Sequence, residues 1–181
     1  RRNRMKDFSR RLVAENNLST NDLILPLFVC DGNNVEDPIQ SMPGVSRHSI
    51  DKLLHKVEEV VKLSIPAIAI FPQIEASLKN NEGSLAFDEN NLVCRSIKSI
   101  KKEFTDIGII CDVALDPFTD HGHDGLVIDN KIDNDRTLEV LEKQALVQAH
   151  AGCDVIAPSD MMDGRIGRIR TVLDNNNFQD T

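Results

Sequence analysis

Four aspartates recur at every fourth position in the densest polar stretch of the sequence: Asp112, Asp116, Asp120 and Asp124, with His121 and His123 among them. On a helix they would share one face. Pro117, Gly122 and Gly125 forbid a continuous helix here, so the four must converge from a strand end and a tight loop. Carboxylates at close range repel, so either a cation joins them or one keeps its proton. Oxygen donors favour a hard cation such as Mg²⁺, and the two histidines would add nitrogen and admit Zn²⁺. A solvated acidic turn with capping aspartates is the competing structural reading. The spacing does not match an EF-hand.

A second polar cluster closes the run Ala157-Pro158-Ser159-Asp160-Met161-Met162-Asp163-Gly164. Its small residues suit a strand end that delivers Ser159 and Asp160 to the same rim. Either could orient a polar group of a substrate, or cap the next helix through a nearby N–H. Met161 and Met162 read as core filler. The turn Asp129 to Asp135 reads as a structural lead into a helix, and His48, His55 and His150 as surface or packing residues. Ser-His-Asp catalysis lacks any sequence like a nucleophile elbow.

The elements that must position these residues alternate. Apolar runs at 23–29, 67–71, 109–115 and 154–159 predict strands, the first weakened by its interior Pro26. Helical spacing follows each: Ser49 to Leu63 with Ser49 as its cap, 92–104, Asp135 to Ala151 capped by Asn134 and stopped by Gly152, and a fourth marked by Met162, Ile166, Ile169, Val172 and Leu173. The strands are continuous apolar runs, the pattern of strands covered on both faces, so the order predicts a parallel α/β sheet with right-handed crossovers. No GxGxxG follows the first strand, which disfavours dinucleotide binding. Two architectures fit: a small doubly wound sheet, or part of an eight-stranded barrel; a complete barrel needs ~250 residues, so four units are half of one.

Composition excludes other classes. With 40% hydrophobic and 28% charged residues in 181, the chain is globular. A net charge of −8 argues against nucleic-acid binding. The basic run Arg1, Arg2, Arg4, Lys6, Arg10 and Arg11 reads as a solvated or partner-contacting arm. No stretch approaches the ~18 apolar residues of a membrane span. Cys30, Cys94, Cys111 and Cys153 form no CxxC pair, which predicts reduced thiols in a cytoplasmic protein.

Taken in order, several segments resemble the porphobilinogen synthase (5-aminolevulinate dehydratase) family over essentially the whole chain. They are the Arg-rich opening, Asn21 to Val29, Ser41-Met42-Pro43-Gly44-Val45, Asp112 to Gly125, Asp133 to Leu138, and Ala157 to Gly164. The resemblance implies the first half of a (β/α)₈ TIM barrel: residues 1–20 as an N-terminal arm gripping a neighbouring subunit, and 21–181 as strands 1 to 4 with their helices. It implies condensation of two 5-aminolevulinate molecules with loss of two waters, in a homo-octamer when full length. Zinc-dependent members carry three cysteines after the third strand; the matching positions here are Ala114, Asp116 and Asp124. Zinc is therefore not expected there, and the chain resembles the aspartate-rich branch associated with Mg²⁺, sometimes K⁺. The implied metal ligands are Asp116 and Asp124, with Asp112 and Asp120 as further candidates. Asp112, Ser159 and Asp160 would be catalytic rim positions, and Asp116 and Asp124 would also meet substrate.

The family's two Schiff-base lysines would lie beyond Thr181, so the segment alone is expected to be inactive. The lysines present fall on helix faces or loops, Lys131 in a solvated turn. Two alternatives stand beside this reading. One is a non-catalytic half-barrel from a broken gene, with an exposed fourth-strand edge. The other is an unrelated metal-dependent lyase or aldolase on the same fold.

Overall fold

The computed structural model describes residues 1–181. Two short helices open the chain, α1 (Arg2–Met5) and α2 (Asp7–Leu12), and neither buries a residue. Strands and helices then alternate: β1 (Ile24–Val29), β2 (Glu36–Pro38), β3 (Ser46–His48), α3 (Ile50–Lys62), β4 (Ala67–Pro72), α4 (Leu92–Glu103), β5 (Gly108–Val113), β6 (Val127–Ile128), β7 (Lys131–Ile132), α5 (Asn134–Ala151), β8 (Val155–Pro158) and α6 (Arg165–Asn175). The main sheet has the order β2-β3-β1-β4-β5-β8, in which β1, β4, β5 and β8 run parallel. Each is followed by one of the long helices α3 to α6, giving the four β/α units of half a barrel. The pair β6–β7 is a separate hairpin in the loop after β5. No helix is long and apolar enough to cross a membrane.

Burial corrects one expectation. The strands read as covered on both faces, yet burial alternates with period two. Leu27, Val29, Ile68, Ile70, Ile109, Cys111 and Val113 lie in the core, packed with Leu53, Val57, Ile97, Ile100 and Leu141 from the helices. Their alternates Ile24, Pro26, Ala69, Phe71 and Ile110 are only partly covered or exposed. The physical reason is that the helices form one layer on one face. The opposite face is apolar in sequence but has nothing packed over it.

Pro26 survives inside β1 because of strand alternation. Gln73 donates its N–H to the Val29 carbonyl, whereas Cys30 donates to His48, so alternate residues of β1 face β4 and β3. Pro26 is on the β3 side, where pairing begins only at Phe28. Its missing donor therefore costs no ladder bond.

Helix ends follow their chemistry, with three differences from expectation. Asp133, not Asn134, caps α5, accepting the Arg136 N–H at 3.0 Å, and Gly152 ends the helix with φ 105°. Ser49 precedes α3 without capping it; its hydroxyl accepts from the Val35 N–H at 2.9 Å and donates to Asp51 at 2.6 Å. Met162 is buried but precedes α6, which starts at Arg165 because Gly164 turns the chain with φ 83°.

Candidate active site

The C-terminal end of β5 carries Asp112, and the loop beyond it carries Asp116, Asp120 and Asp124. Asp112, Asp116, Lys79, Phe28, Phe71, Gln144 and Gln148 are among the residues lining one cavity of about 320 Å³. Phe28 and Phe71 form its apolar wall, with ring centroids 5.7 Å apart. A larger groove of about 390 Å³ runs along the β8 edge and α6, between residues such as Val155, Ile166 and Leu173. It lies away from the carboxylates, so the chemistry is assigned to the smaller cavity.

Three of the four aspartates interact. Burial pushes the Asp112 carboxyl up; the charge of Asp124 adds to this, while the Ser159 hydroxyl and N–H pull the other way. Asp116 is exposed at the surface, but partial desolvation by the surrounding loop raises its carboxyl, and Asp124 and Asp112 raise it further. Asp112 keeps one oxygen, Oδ1, buried and without a partner. Asp120 stays apart on an exposed part of the loop, where its N–H donates to the Asn80 carbonyl.

The histidines organise the loop. The Nδ1 of His121 accepts from the His123 N–H, and the Nδ1 of His123 accepts from the Gly125 N–H, each at 3.1 Å. Thr119, fully buried, donates its hydroxyl to the His123 carbonyl at 2.9 Å. No three His, Cys, Asp or Glu side chains stand close enough to hold a metal ion.

The β8 end separates the two residues grouped there by sequence. Ser159 is exposed beside Asp112. Asp160 is 1% exposed. Its Oδ1 accepts the Met162 N–H at 2.7 Å, and the Arg165 Nε stands 3.2 Å from Oδ2. Burial pushes its carboxyl up, against these two contacts. Asp160 thus fixes the turn into α6, closer to the capping alternative than to a free acid at the rim.

Sequence reasoning missed Lys79, the one cation lining the cavity. It also missed Asn134 as a tether: its Oδ1 accepts the Asp163 N–H at 2.8 Å, joining the loops after β5 and β8. The sole available signal was position, since both follow the C-terminal ends of strands.

Parallel strands under a single helix layer, with carboxylates and a cavity at the strands' C-terminal ends, define a (β/α)-barrel protein with its site on the upper rim. The model of the delta-aminolevulinic acid dehydratase family matches residues 1–181. The chain is 59% identical over 174 residues to the delta-aminolevulinic acid dehydratase of Bradyrhizobium diazoefficiens, covering 96% of this chain and 49% of that one. It is 44% identical to that of Chlamydia pneumoniae, covering 100% and 54%. The crystal structure of the Toxoplasma gondii enzyme with its reaction product porphobilinogen superposes with a TM-score of 0.95 at 43% identity, covering 99% of this chain and 51% of that one. The chain belongs to the delta-aminolevulinic acid dehydratase family, and it spans about half the length of these relatives.

Proposed function

We propose that the whole protein condenses two molecules of 5-aminolevulinate to porphobilinogen, releasing two waters. The observation that supports this most is the Asp112 carboxyl at the end of β5. It is raised by burial, has one orphaned oxygen, and faces a cavity that also holds Asp116 and one cation, Lys79. A carboxyl held above its ordinary value can keep or pass a proton nearer neutrality than a free one. Lys79 suits the carboxylate of a small keto acid, and the acidic side suits its ammonium. Phe28 and Phe71 give the space between an apolar wall.

The carboxylate oxygens suit a hard cation in kind, although no three of these side chains stand close enough together to enclose one. Asp116 and Asp124 would hold Mg²⁺ or K⁺, with Asp112 and Asp120 as further donors, and no thiol stands at this site for zinc: all four cysteines are buried elsewhere. The cation would offset the repulsion among the aspartates and polarise a substrate oxygen when bound. This chain's own residues orient the substrate and move protons.

The imine-forming amines are proposed to lie outside residues 1–181, so this segment alone forms no porphobilinogen. The helices α1 and α2, with Met5, Phe8 and Leu12 exposed, suit an arm that docks on a neighbouring subunit of a homo-octamer. Incubating the whole protein with 5-aminolevulinate and Mg²⁺ should yield porphobilinogen, and the 181-residue chain should yield none. Absence of product from the whole protein refutes the reading. Product from the segment refutes the placement of the amines.

A further inference from the structure

The end of β5 leaves its neighbour before it reaches the acidic loop. Residues of β5 bond alternately to the two flanking strands: Gly108 donates its N–H to the Pro66 carbonyl on the β4 side, and Asp154 donates to the Ile109 carbonyl on the β8 side. Asp112 and Ala114 therefore face the β4 side. The register between β4 and β5 stops at Ile70 with Cys111. Beyond it β4 offers Phe71 and then Pro72, which has no N–H to give. The carbonyls of Asp112 and Ala114 are left without a strand partner.

Two side chains of α5 take that place. Gln148 donates its amide to the Asp112 carbonyl at 2.9 Å, and Gln144, one turn earlier, donates to the Ala114 carbonyl at 3.2 Å. Both glutamines are 1% exposed and both line the cavity with Asp112 and Asp116. Their Oε1 atoms are buried and unpartnered. Two buried acceptors without donors are an unfavourable way to staple a helix to a sheet. Apolar side chains would pack here without that cost. The amide donors are what the site needs, because nothing else satisfies the two carbonyls in the gap between β4 and β5.

We propose that Gln144 and Gln148 are positioning residues: they hold the splayed tip of β5 open from β4, so that Asp112 and Asp116 present their carboxylates to the cavity. The inference deepens the porphobilinogen-forming reading and rests on it for its kinetic test. It also has a structural readout that does not depend on activity.

The test compares Gln148→Met in the whole protein with Val57→Ala, a core truncation on the remote helix α3. Wild type, Gln148→Met and Val57→Ala are compared for kcat and KM with 5-aminolevulinate, melting temperature, and amide hydrogen exchange across residues 112–116. Gln148→Met should lower kcat at least tenfold with KM changed less than threefold, and should speed exchange at 112–116 at least tenfold. Val57→Ala should lower the melting temperature at least as much, yet keep kcat within threefold. If the two variants lose activity in parallel with stability, or if exchange at 112–116 is unchanged in Gln148→Met, the positioning role is wrong. Should Gln148→Met fail to fold, Gln144→Met, which removes only the donor to the Ala114 carbonyl, is read in the same comparison. A wild-type protein that makes no porphobilinogen refutes the function, while faster exchange at 112–116 would still uphold the structural half of the inference.

Discussion

Replacing Asp112 with asparagine should stabilise the fold at neutral pH while abolishing most activity. The carboxyl is pushed up first by burial and then by Asp124, and its Oδ1 has no partner. A buried unsatisfied polar group costs ~1–3 kcal/mol, and asparagine keeps a polar atom there while removing the charge, so a net gain of about 1 kcal/mol is expected. In a chain of this size that raises Tm by about 2–4 °C. The sign follows from linkage. With its folded value raised, Asp112 carries its proton in both states at low pH and imposes no penalty there. As pH rises, the unfolded chain loses the proton first, stability falls, and the full penalty is present above the raised value. The asparagine variant should therefore match wild type below pH ~3.5 and pull ahead from about the ordinary aspartate value upward. Calorimetry of both proteins between pH 3 and 8, with a chelator present, measures this. In the whole protein the same change should cut kcat by about 100-fold or more, the usual scale for losing a positioned acid–base group. A variant that melts lower at pH 7.5, or gains equally at all pH values, refutes the idea that burial raises Asp112.

Three further outcomes follow from named contacts. Asn91 is buried, accepts the Cys94 N–H at 2.8 Å and donates to the Ala86 carbonyl, so Asn91→Ala should cost about 2 kcal/mol in denaturant unfolding. Gly152 has φ 105°, and a Cβ there would meet the Lys101 Cγ at 3.4 Å; Gly152→Ala should cost about 1 kcal/mol, mostly through the backbone. Val155 is 47% exposed on β8, the longer of the sheet's two edge strands, so the 181-residue chain should self-associate with rising concentration, and Val155→Lys should weaken this in sedimentation.

The order of the four parallel strands and their helices was legible because each of these strands is an apolar run and each long helix carries a 3.6-residue stripe; β2, β3 and the β6–β7 hairpin were not, because they are two or three residues long and mostly polar. The coverage of the strands was not, because an apolar residue reads the same whether a layer lies over it or not. Ile24 and Ile68 differ in burial, not in chemistry. Capping was legible in kind and wrong by one residue at α5, where Asp133 and Asn134 are both good caps and only the tether from Asn134 to Asp163 decides between them. The carboxylate cluster was legible from its spacing, yet Asp120 fell outside it, since a turn around Pro117 and Gly122 does not keep a four-residue period. Gln144 and Gln148 escaped notice because a helix with polar residues looks solvated. Their place on the same stripe as Leu141 and Ala145, both fully buried, was the signal.

The central claim, that the end of β5 presents its carboxylates to the substrate, is tested most directly by a crystal structure of the whole protein with porphobilinogen bound. The product should lie between Phe28, Phe71 and Lys79, with a polar atom within hydrogen-bond distance of Asp112, Asp116 or Asp124. Product bound elsewhere, with these three side chains turned into bulk water, would contradict the account.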